Sequence, residues 1–436
     1  MAASPQGSTV PANESSYKPR YIDIGINLAD PIYRGEYHGT QRHPDDLEDV
    51  VSRAQEVGCQ RLIVTGSDFK SSRTALEVAE EFPGTVYTTA GIHPCSSAIF
   101  STTHSHVDTD GHTMPCDADP SKPISEDDEP DVERTASIIS ELRGIIEEAR
   151  ENSFMGPCPL VAFGEFGLDY DRLHYCSKKI QLHSFAAQLD LVLSLEPQLP
   201  LFLHSRAAHA DFVGLLKAKF GPRLEKLEHG GVVHSFTGTA DEMRELMDLG
   251  LYIGINGCSF KTAENCAVVK EIDLDRLMLE TDGPWCEVRP SHEGWKYLEP
   301  PPRKPKVAAA AAAAAAAGTE DTPPDPNAEA NTATEPSAPT TPPPPPPPKS
   351  KKKPKRNQEP LRLTQSQPKK KPTSVPERFP TVRKERWTEG SMVKGRNEPC
   401  MIERVGAIVA GIKGVSVEEV CEAAWRNTVR VFRVGE

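Results

Sequence analysis

The stretch LMLETDGPW (residues 277–285) shows the pattern that decides the fold. A short apolar run, typical of a strand, leads into a polar ending and then into a turn. Its Glu-Thr-Asp ending precedes a Gly-Pro pair, which stops a strand. Seven other short apolar runs along the chain also lead into polar or glycine-rich endings; they are YIDIGINL (21–28), RLIVTGS (61–67), TVYTTAGI (85–92), LVAFGEFGLD (160–169), PLFLHSR (200–206), GVVHSFTG (231–238) and LYIGING (251–257). The recurrence of this pattern predicts eight strands.

Helical patterns lie between most of these strands. Residues 43–58 (HPDDLEDVVSRAQEVG) and 177–195 (SKKIQLHSFAAQLDLVLSL) are two examples. Continuous apolar runs are typical of strands buried on both faces of a parallel sheet. Eight strands that alternate with helices predict an α/β fold, specifically a (β/α)8 TIM barrel. A doubly wound open sheet is the alternative, although no G-x-G-x-x-G motif follows the first strand.

The composition limits the class of protein. The 436-residue chain has a formal net charge of −13, which argues against simple electrostatic binding of a polyanion by the whole molecule. Its ten cysteines are scattered, which favours free thiols in a reducing compartment. The N-terminus is polar, and the alanine tract is too short and too weakly apolar to span a membrane. We therefore expect a protein of the cytoplasm, the nucleus or both, neither secreted nor membrane-bound.

Three regions depart from the composition of the barrel. Residues 1–19 are predicted to be a disordered N-terminus, and residues 101–136 an acidic loop insertion rich in Ser, Thr, Asp, Glu and Pro. Residues 299–393 contain polyalanine, polyproline and lysine clusters, which cannot bury enough apolar surface to become ordered, and are predicted to be a disordered insertion. Helical patterning then returns, so the barrel is predicted over residues 20–298 and 394–436.

Side chains that bind metals or phosphates lie at or just after most of the strand ends. They are Asp23, Asn27, His93, Glu165, Asp169, His204, Arg206, His234, Asn256 and Asp282. In a barrel, the C-terminal strand ends converge on one face, where catalytic residues lie. Carboxylates and imidazoles bind Zn²⁺, Mn²⁺ or Mg²⁺, and a cation also offsets the repulsion between clustered carboxylates. The strand endings therefore predict a site for divalent cations.

Several of these residues also have a structural interpretation. A single histidine after an apolar strand is more often a packed residue than a ligand, whereas four ligand-type residues on four strands favour a site. Asn27 and Asn256 could satisfy backbone groups of the loops. His93 could shape the loop before its proline, and Arg206 could be a surface arginine.

Eight motifs at these endings carry a resemblance to a known family. They are DIGINLADPIYRGEYHG, AGIHP, GEFGLDYDRLHYC, PLFLHSR, VHSFTG, GINGCSFKT, LETDGPW and RNEPC, and they cover most of residues 20–290 and 394–433. Together they resemble the eukaryotic branch of the TatD-type deoxyribonucleases, within the metal-dependent hydrolase superfamily. The resemblance implies that Glu165 bridges two divalent ions. His204 and His234 would hold one of these ions, and Asp282 would hold the other.

The resemblance also implies an activity and a cofactor. Members are similar in acting as Mg²⁺-dependent nucleases, commonly as 3′→5′ exonucleases on DNA. We therefore expect one or two divalent ions, with Mg²⁺ first and Mn²⁺ or Zn²⁺ as alternatives. The expected partner is single-stranded DNA or a 3′ end of DNA, with RNA as an alternative.

The first strand departs from the pattern of the wider superfamily. Many members carry D-x-H-x-H there, whereas Asp23, Gly25 and Asn27 occupy these positions here. Because two imidazole ligands are missing, the first metal site should be weaker or filled only when substrate is bound. The eukaryotic branch resembles this chain in that loss. Asn397 and Glu398 match a family motif that starts a helix near the site, although an ordinary helix N-terminal signature fits them equally well.

These residues suggest a mechanism of phosphodiester hydrolysis. The predicted catalytic residues are Glu165 and Asp282, since divalent ions held there would acidify a water and neutralise phosphate oxygens, and Asp282 would take the proton. Arg206 suits a bidentate contact with a phosphate. Trp285 and Tyr170 could stack a base or could be core residues. The predicted substrate-binding residues are Asn27, His93, Arg206 and Asn256.

Two other functions stay open. An amidohydrolase-like enzyme usually keeps D-x-H-x-H and often a carbamylated lysine on the fourth strand, where this chain has Glu165. A catalytically silent scaffold could bind a protein partner through TPPPPPPPK (341–349). KSKKKPKR (349–356) could be a nuclear localisation signal, a nucleic-acid patch or a solvated linker. HSHVDTDGH (104–112) lies in the polar insertion, which disfavours a metal site there.

Overall fold

The computed structural model describes residues 17–103, 128–152, 158–298 and 375–434. Three segments from the sequence analysis, HSHVDTDGH, TPPPPPPPK and KSKKKPKR, lie outside these residues, as do most of the two predicted insertions. Within the described part of the chain, we find no helix long and apolar enough to cross a membrane.

Eight parallel strands form one sheet in which neighbours follow the order of the chain, as in a TIM barrel. This confirms the predicted fold. Polar residues follow the strands at their C-terminal ends, as the sequence indicates. The strands are β1 (Tyr21–Ile26), β2 (Cys59–Val64), β3 (Val86–Ala90), β4 (Leu160–Asp169), β5 (Leu201–Arg206), β6 (Gly231–Val233), β7 (Tyr252–Ile255) and β8 (Leu277–Leu279).

Helices follow the strands and cover the outside of the sheet. Several begin with a side-chain cap that the sequence supplies, such as Ser177, which accepts a hydrogen bond from the backbone N–H of Ile180. The helices are α1 (Leu47–Glu56), α2 (Phe69–Glu81), α3 (Val132–Glu151), α4 (Lys178–Leu193), α5 (His209–Phe220), α6 (Ala240–Asp248), α7 (Ala263–Glu271), α8 (Ile402–Lys413) and α9 (Val417–Phe432).

An apolar cluster fills the barrel near the N-terminal ends of the strands. Every strand contributes to it, as do Val431 and Phe432 at the C-terminal end of α9 and Val434 just after the helix. The strand members are Ile22, Ile24, Ile63, Tyr87, Ala162, Phe202, Val232, Tyr252 and Met278. Because this layer excludes water from one end of the barrel, polar side chains are left to the opposite, C-terminal end.

Hydrogen bonds between β1 and the chain after β8 nearly close the barrel. The backbone N–H of Asp282 donates to the carbonyl of Gly25 (2.8 Å), and that of Asn27 donates to the carbonyl of Gly283 (2.9 Å). The fully buried carboxylate of Asp23 accepts from the backbone N–H (2.9 Å) and the hydroxyl (2.5 Å) of Thr281. Asp23, one of the polar strand-end residues, is therefore used in barrel closure.

The structure differs from two of the predicted boundaries. Helix α3 begins at Val132, inside the predicted 101–136 loop, because the side chain of Asp131 caps it by accepting from the backbone N–H of Arg134. Residues 375–393, which the sequence places in the disordered insertion, include a small parallel sheet of Thr381–Val382 and Met392–Val393. Met392 and Val393 are buried, and this apolar contact explains the order at the end of that stretch.

A buried network of charges fixes the segment that leads into α8. The guanidinium of Arg396 donates to both carboxylate oxygens of Asp46 (2.8 and 2.5 Å) and to Glu398 (2.9 Å). The Nε of Arg53 donates to the other oxygen of Glu398 (2.8 Å). Glu398 precedes a short 3-10 helix but makes no side-chain capping bond there, so its carboxylate serves the network rather than a helix cap.

We expect Arg396→Met to lower the free energy of unfolding by about 3–5 kcal/mol, because it leaves Asp46 and Glu398 buried with too few positive partners. The measurement is equilibrium urea denaturation followed by tryptophan fluorescence. The control is Arg244→Met, which removes a half-exposed arginine that pairs with Asp241 and Glu271 and should cost less than about 1 kcal/mol. Equal losses in the two variants would contradict the structural role of the network.

Candidate active site

Two histidines, one in β5 and one directly after β6, lie above the apolar layer because side chains alternate along a strand. Phe202 and Val232 belong to that layer, and His204 and His234 follow them by two residues. Residues two apart in a strand project to the same face, so both imidazoles project toward the inside of the barrel. Their side chains are buried, with only 9% and 3% of their surface exposed.

Glu165 of β4 is the centre of this polar layer. Its Oε1 lies 2.7 Å from Nε2 of His234 and 2.9 Å from Nδ1 of His204. The Nε2 of His93, which follows β3, lies 3.3 Å from the same oxygen. The two nitrogens of His204 and His234 are themselves 3.2 Å apart. Three imidazoles, which lie in or just after three other strands, thus contact one carboxylate oxygen.

Electrostatic compensation governs the protonation of this cluster. Burial raises the pKa of Glu165, but the charges of His234 and His93 and the hydrogen bonds from His204 and His234 outweigh burial and hold it well below its usual range. Burial lowers the pKa of His234, yet the charges of Glu165 and Glu280 raise it well above its ordinary value. The pKa of His93 is also raised, because Glu165 outweighs burial. In the protein alone, protons on imidazoles therefore compensate the buried carboxylate.

Two glycines allow β4 and β5 to approach closely enough for these contacts. A Cβ on Gly164 would lie 2.1 Å from the carbonyl oxygen of Phe202, and one on Gly167 would lie 1.9 Å from that of His204. Both glycines have φ in the range that side chains disfavour, +142° and +148°. In the sequence GEFG, Glu165 therefore lies between two glycines whose lack of a side chain lets β5 approach β4.

A second carboxylate orients His204 from the other side. The Oδ2 of Asp169, the last residue of β4, lies 3.3 Å from Nε2 of His204. Burial raises the pKa of Asp169, but the hydrogen bond and charge of His204 outweigh it and the pKa is lowered. The sequence places Asp169 at a strand end but indicates no role for it. Its position four residues after Glu165 is the signal, since even spacing puts both on one face.

Glu280 is a further residue whose role the sequence analysis missed. It follows Met278 of the apolar layer by two residues and is completely buried. Its Oε1 accepts from the backbone N–H of Ser235 (2.5 Å) and from Nδ2 of Asn256 (3.2 Å). Its Oε2 lies 3.5 Å from Nδ1 of His234. Glu280 therefore faces His234 on the side opposite Glu165 and limits the rotation of that imidazole.

Asp282 lies in the same pocket but has a different set of partners. Its Oδ1 accepts from Nδ2 of Asn27 (3.2 Å), and its Oδ2 accepts from Oγ of Ser235 (3.4 Å) and Sγ of Cys286 (3.1 Å). Its backbone φ of +53° is strained for a residue with a side chain. Burial is the main cause that raises its pKa to about 6, with the charge of His234 opposing the shift.

The predicted substrate-binding residues divide into two groups. Asn27 contacts Asp282, and His93 contacts Glu165, so both belong to the polar layer. Arg206, at the end of β5, is half-buried and its Nε has no hydrogen-bond partner among the described residues. Asn256 is completely buried, and its side chain bonds to Ser235, Glu280 and Cys258.

Asn397 holds the loop after β8 through two hydrogen bonds. Its Nδ2 donates to the carbonyls of Thr281 (2.9 Å) and Trp285 (2.8 Å), on either side of Asp282. Trp285 exposes 47% of its surface. Tyr170 is half-buried, and its hydroxyl donates to Asp211 (2.8 Å). Of the two aromatic residues considered for base stacking, Trp285 is thus the more accessible.

The donor atoms fit a divalent cation. The ligand atoms of His93, Glu165 and His204 lie within 4.8 Å of one another. The separations of 2.7 to 3.2 Å among the Glu165, His204 and His234 atoms match neighbouring ligands of an ion, which lie about 3 Å apart when bonds are about 2.1 Å long. A cation would also replace the protons that now compensate Glu165.

An eight-stranded parallel barrel with a buried imidazole–carboxylate cluster at its C-terminal strand ends defines a hydrolase of the (β/α)8 class. More narrowly, the chain belongs to the TatD related DNase family, whose model matches residues 22–322. It is thus a hydrolase that acts on phosphodiester bonds, and the predicted family is confirmed.

Known proteins resemble this chain over different lengths. It is similar to the deoxyribonuclease Tat-D of Schizosaccharomyces pombe, with 34% identity over 95% of this chain and 96% of that protein. It is 32% identical, over 62% of its length and 82% of the relative, to a Pantoea protein named 3'-5' ssDNA/RNA exonuclease TatD. The crystal structure of an uncharacterized amidohydrolase from Saccharomyces cerevisiae matches with a TM-score of 0.65 and 28% identity, over 95% of this chain and 100% of that one.

We expect Gly167→Ala to lower the free energy of unfolding by about 1–3 kcal/mol, because the new Cβ would clash with the backbone carbonyl of His204. Urea denaturation measures this loss. Gly214→Ala in α5 is the matched control, since nothing lies within 4 Å of its Cβ position and helical alanine is favoured over glycine. A Gly167→Ala protein as stable as the Gly214→Ala protein would contradict the proposed packing of β4 on β5.

Proposed function

We propose that this protein is a divalent-metal-dependent deoxyribonuclease that removes nucleotides from the 3′ end of DNA. The observation that carries the proposal is the convergence of three imidazoles on one oxygen of Glu165 at the C-terminal end of the barrel. Such a cluster is costly to bury and is typical of a site that holds a cation or transfers protons.

Four residues would hold the metal in this proposal. Glu165, His204 and His234 supply donors within 3.2 Å of one another, and Asp282 supplies a carboxylate from the loop after β8. One or two ions, Mg²⁺ first with Mn²⁺ or Zn²⁺ as alternatives, would acidify the attacking water and neutralise the phosphate oxygens. Because Asp23, Gly25 and Asn27 stand where related barrels have D-x-H-x-H, the ion beside Asp282 would be held by fewer protein ligands.

The remaining residues of the pocket would position the substrate and a proton. Asp282 would accept a proton from the attacking water. Asn27 would orient the Asp282 carboxylate through the 3.2 Å hydrogen bond from its Nδ2 to Oδ1. Arg206 has a buried Nε without a protein partner among the described residues, which suits a phosphate oxygen. Trp285, with its exposed ring, would stack the terminal base.

The names of relatives support the proposed direction of degradation and the proposed nucleic acid. Bacterial members at 32% identity are named 3'-5' ssDNA/RNA exonucleases, and the fungal relative at 34% is named a deoxyribonuclease. Single-stranded DNA or a frayed 3′ end is therefore the proposed substrate, with RNA as an alternative. Stacking and phosphate contacts accept any sequence, so degradation is expected to proceed through all four bases.

We expect a 5′-labelled single-stranded DNA to shorten into a ladder from its 3′ end in Mg²⁺ or Mn²⁺, and EDTA to stop the reaction. Glu165→Gln should abolish the ladder, because a neutral amide cannot compensate a cation. Glu148→Gln, an exposed residue of α3, is the matched control and should keep full activity. Full-length DNA under every metal condition would reject the proposed activity on this substrate.

We expect Asp169→Asn to weaken Mn²⁺ binding by about 10–100-fold, because the amide no longer fixes the orientation of His204. Titration calorimetry of the full chain measures the dissociation constant directly. Asp171→Asn, an exposed neighbour, should leave the constant unchanged. An Asp169→Asn protein that binds Mn²⁺ as tightly as the parent would contradict the orienting role.

A further inference from the structure

Two cysteines from neighbouring loops meet beside the proposed active site. Cys258, just after β7, and Cys286, just after β8, have their Sγ atoms 3.0 Å apart. A disulfide bond is about 2.05 Å long, so the two sulfurs need to approach by only about 1 Å. The loops also touch at the backbone, because a Cβ on Gly257 would lie 1.9 Å from the carbonyl oxygen of Cys286.

One of these thiols contacts the proposed catalytic carboxylate. The Sγ of Cys286 donates to Oδ2 of Asp282 at 3.1 Å, and it is one of two side chains that bond to this oxygen among the described residues. Cys286 is half-buried and Cys258 exposes 7% of its surface, so a small oxidant can approach from the side of Cys286. The pair is therefore an oxidisable site connected to Asp282 by a single hydrogen bond.

We propose that a hydroperoxide converts Cys258 and Cys286 into a reversible disulfide that withdraws the Cys286 hydrogen bond from Asp282 and slows the enzyme. The effect on rate rests on the proposed nuclease function, whereas the formation of the bond does not. Oxidation pulls the Cys286 sulfur toward Cys258 and removes its proton. Asp282 then keeps its bonds to Ser235 and Asn27 but loses the third donor.

The reaction balances with one molecule of peroxide. The thiolate of Cys258 attacks the peroxide oxygen, giving a sulfenic acid and, for hydrogen peroxide, hydroxide that takes up a proton to become water. The sulfur of Cys286 then attacks the Cys258 sulfur, its thiol proton leaves with the sulfenic hydroxyl as a second water, and the S–S bond forms. A dithiol such as dithiothreitol reverses the oxidation.

The surroundings of Cys258 favour the first step. The side-chain hydrogen bond between Cys258 and Cys286 is the main cause that lowers the pKa of Cys258, and the charge of Lys261 adds to this effect, so that the pKa falls to about 6 despite burial. The thiolate is the reactive form of cysteine, and a thiol with a resolving partner nearby is typical of reversible oxidation.

The test uses the full-length reduced protein, treated with hydrogen peroxide and then alkylated and digested. We expect mass spectrometry to find the peptide of Cys258 linked to that of Cys286. On 5′-labelled single-stranded DNA, exonuclease activity should fall by about tenfold or more, because hydrogen bonds to charged groups contribute strongly. Dithiothreitol should restore it.

Two variants separate this site from other oxidation. Cys258→Ser should keep the reduced activity and resist peroxide, whereas Cys158→Ser, a half-buried cysteine elsewhere, should remain sensitive. Absence of the linked peptide, a disulfide that leaves activity unchanged, or equal inactivation of the Cys258→Ser protein would each overturn the proposal. If the reduced protein degraded no DNA, the nuclease proposal would fail, and the linked peptide would still decide whether the disulfide forms.

Discussion

The buried carboxylate of Glu165 is the constraint on which the rest of the site depends. An ionised carboxylate inside a barrel is unstable unless positive charge or hydrogen bonds surround it. His93, His204 and His234 supply this compensation from three different strands or strand ends. A shift of β5 or β6 by one residue would turn its histidine away and remove one of the three imidazoles that compensate the charge. The contacts of Glu165 with the histidines therefore also fix the register of the sheet.

Strain and burial are concentrated around the second carboxylate, Asp282. Asp282 and Ser235 both have φ near +50°, which is unusual for residues with side chains, and they contact each other. The bond from the Ser235 backbone to Glu280 and that from the Asp282 backbone to Gly25 hold these conformations. Burial raises the pKa of Asp282, and the charge of His234 opposes the shift. The fold thus holds this carboxylate in place at a cost in local strain.

The sequence predicts the barrel and most of the polar layer for simple reasons. A strand buried on both faces is continuous in apolar residues, and any polar ending is then conspicuous, as with His204 after PLFL. What the sequence does not predict is pairing across long separations. The contact of Asp169 with His204, the hydrogen bond of the Cys258 thiol to Cys286 and the burial of Asn256 depend on how loops from different strands meet. Residues 375–393 differ from the predicted disorder for a similar reason. A few apolar contacts with the rest of the fold suffice to order a polar stretch.

The segment that returns before α8 explains how the barrel accommodates a long connection after β8. Asn397 holds the carbonyls of Thr281 and Trp285 on both sides of Asp282, and the buried pair of Arg396 and Asp46 anchors the same segment to the start of α1. The chain therefore returns to the barrel at residues 396–398 through defined hydrogen bonds and ion pairs, and the bonds of Asn397 hold the two carbonyls that flank Asp282 in sequence.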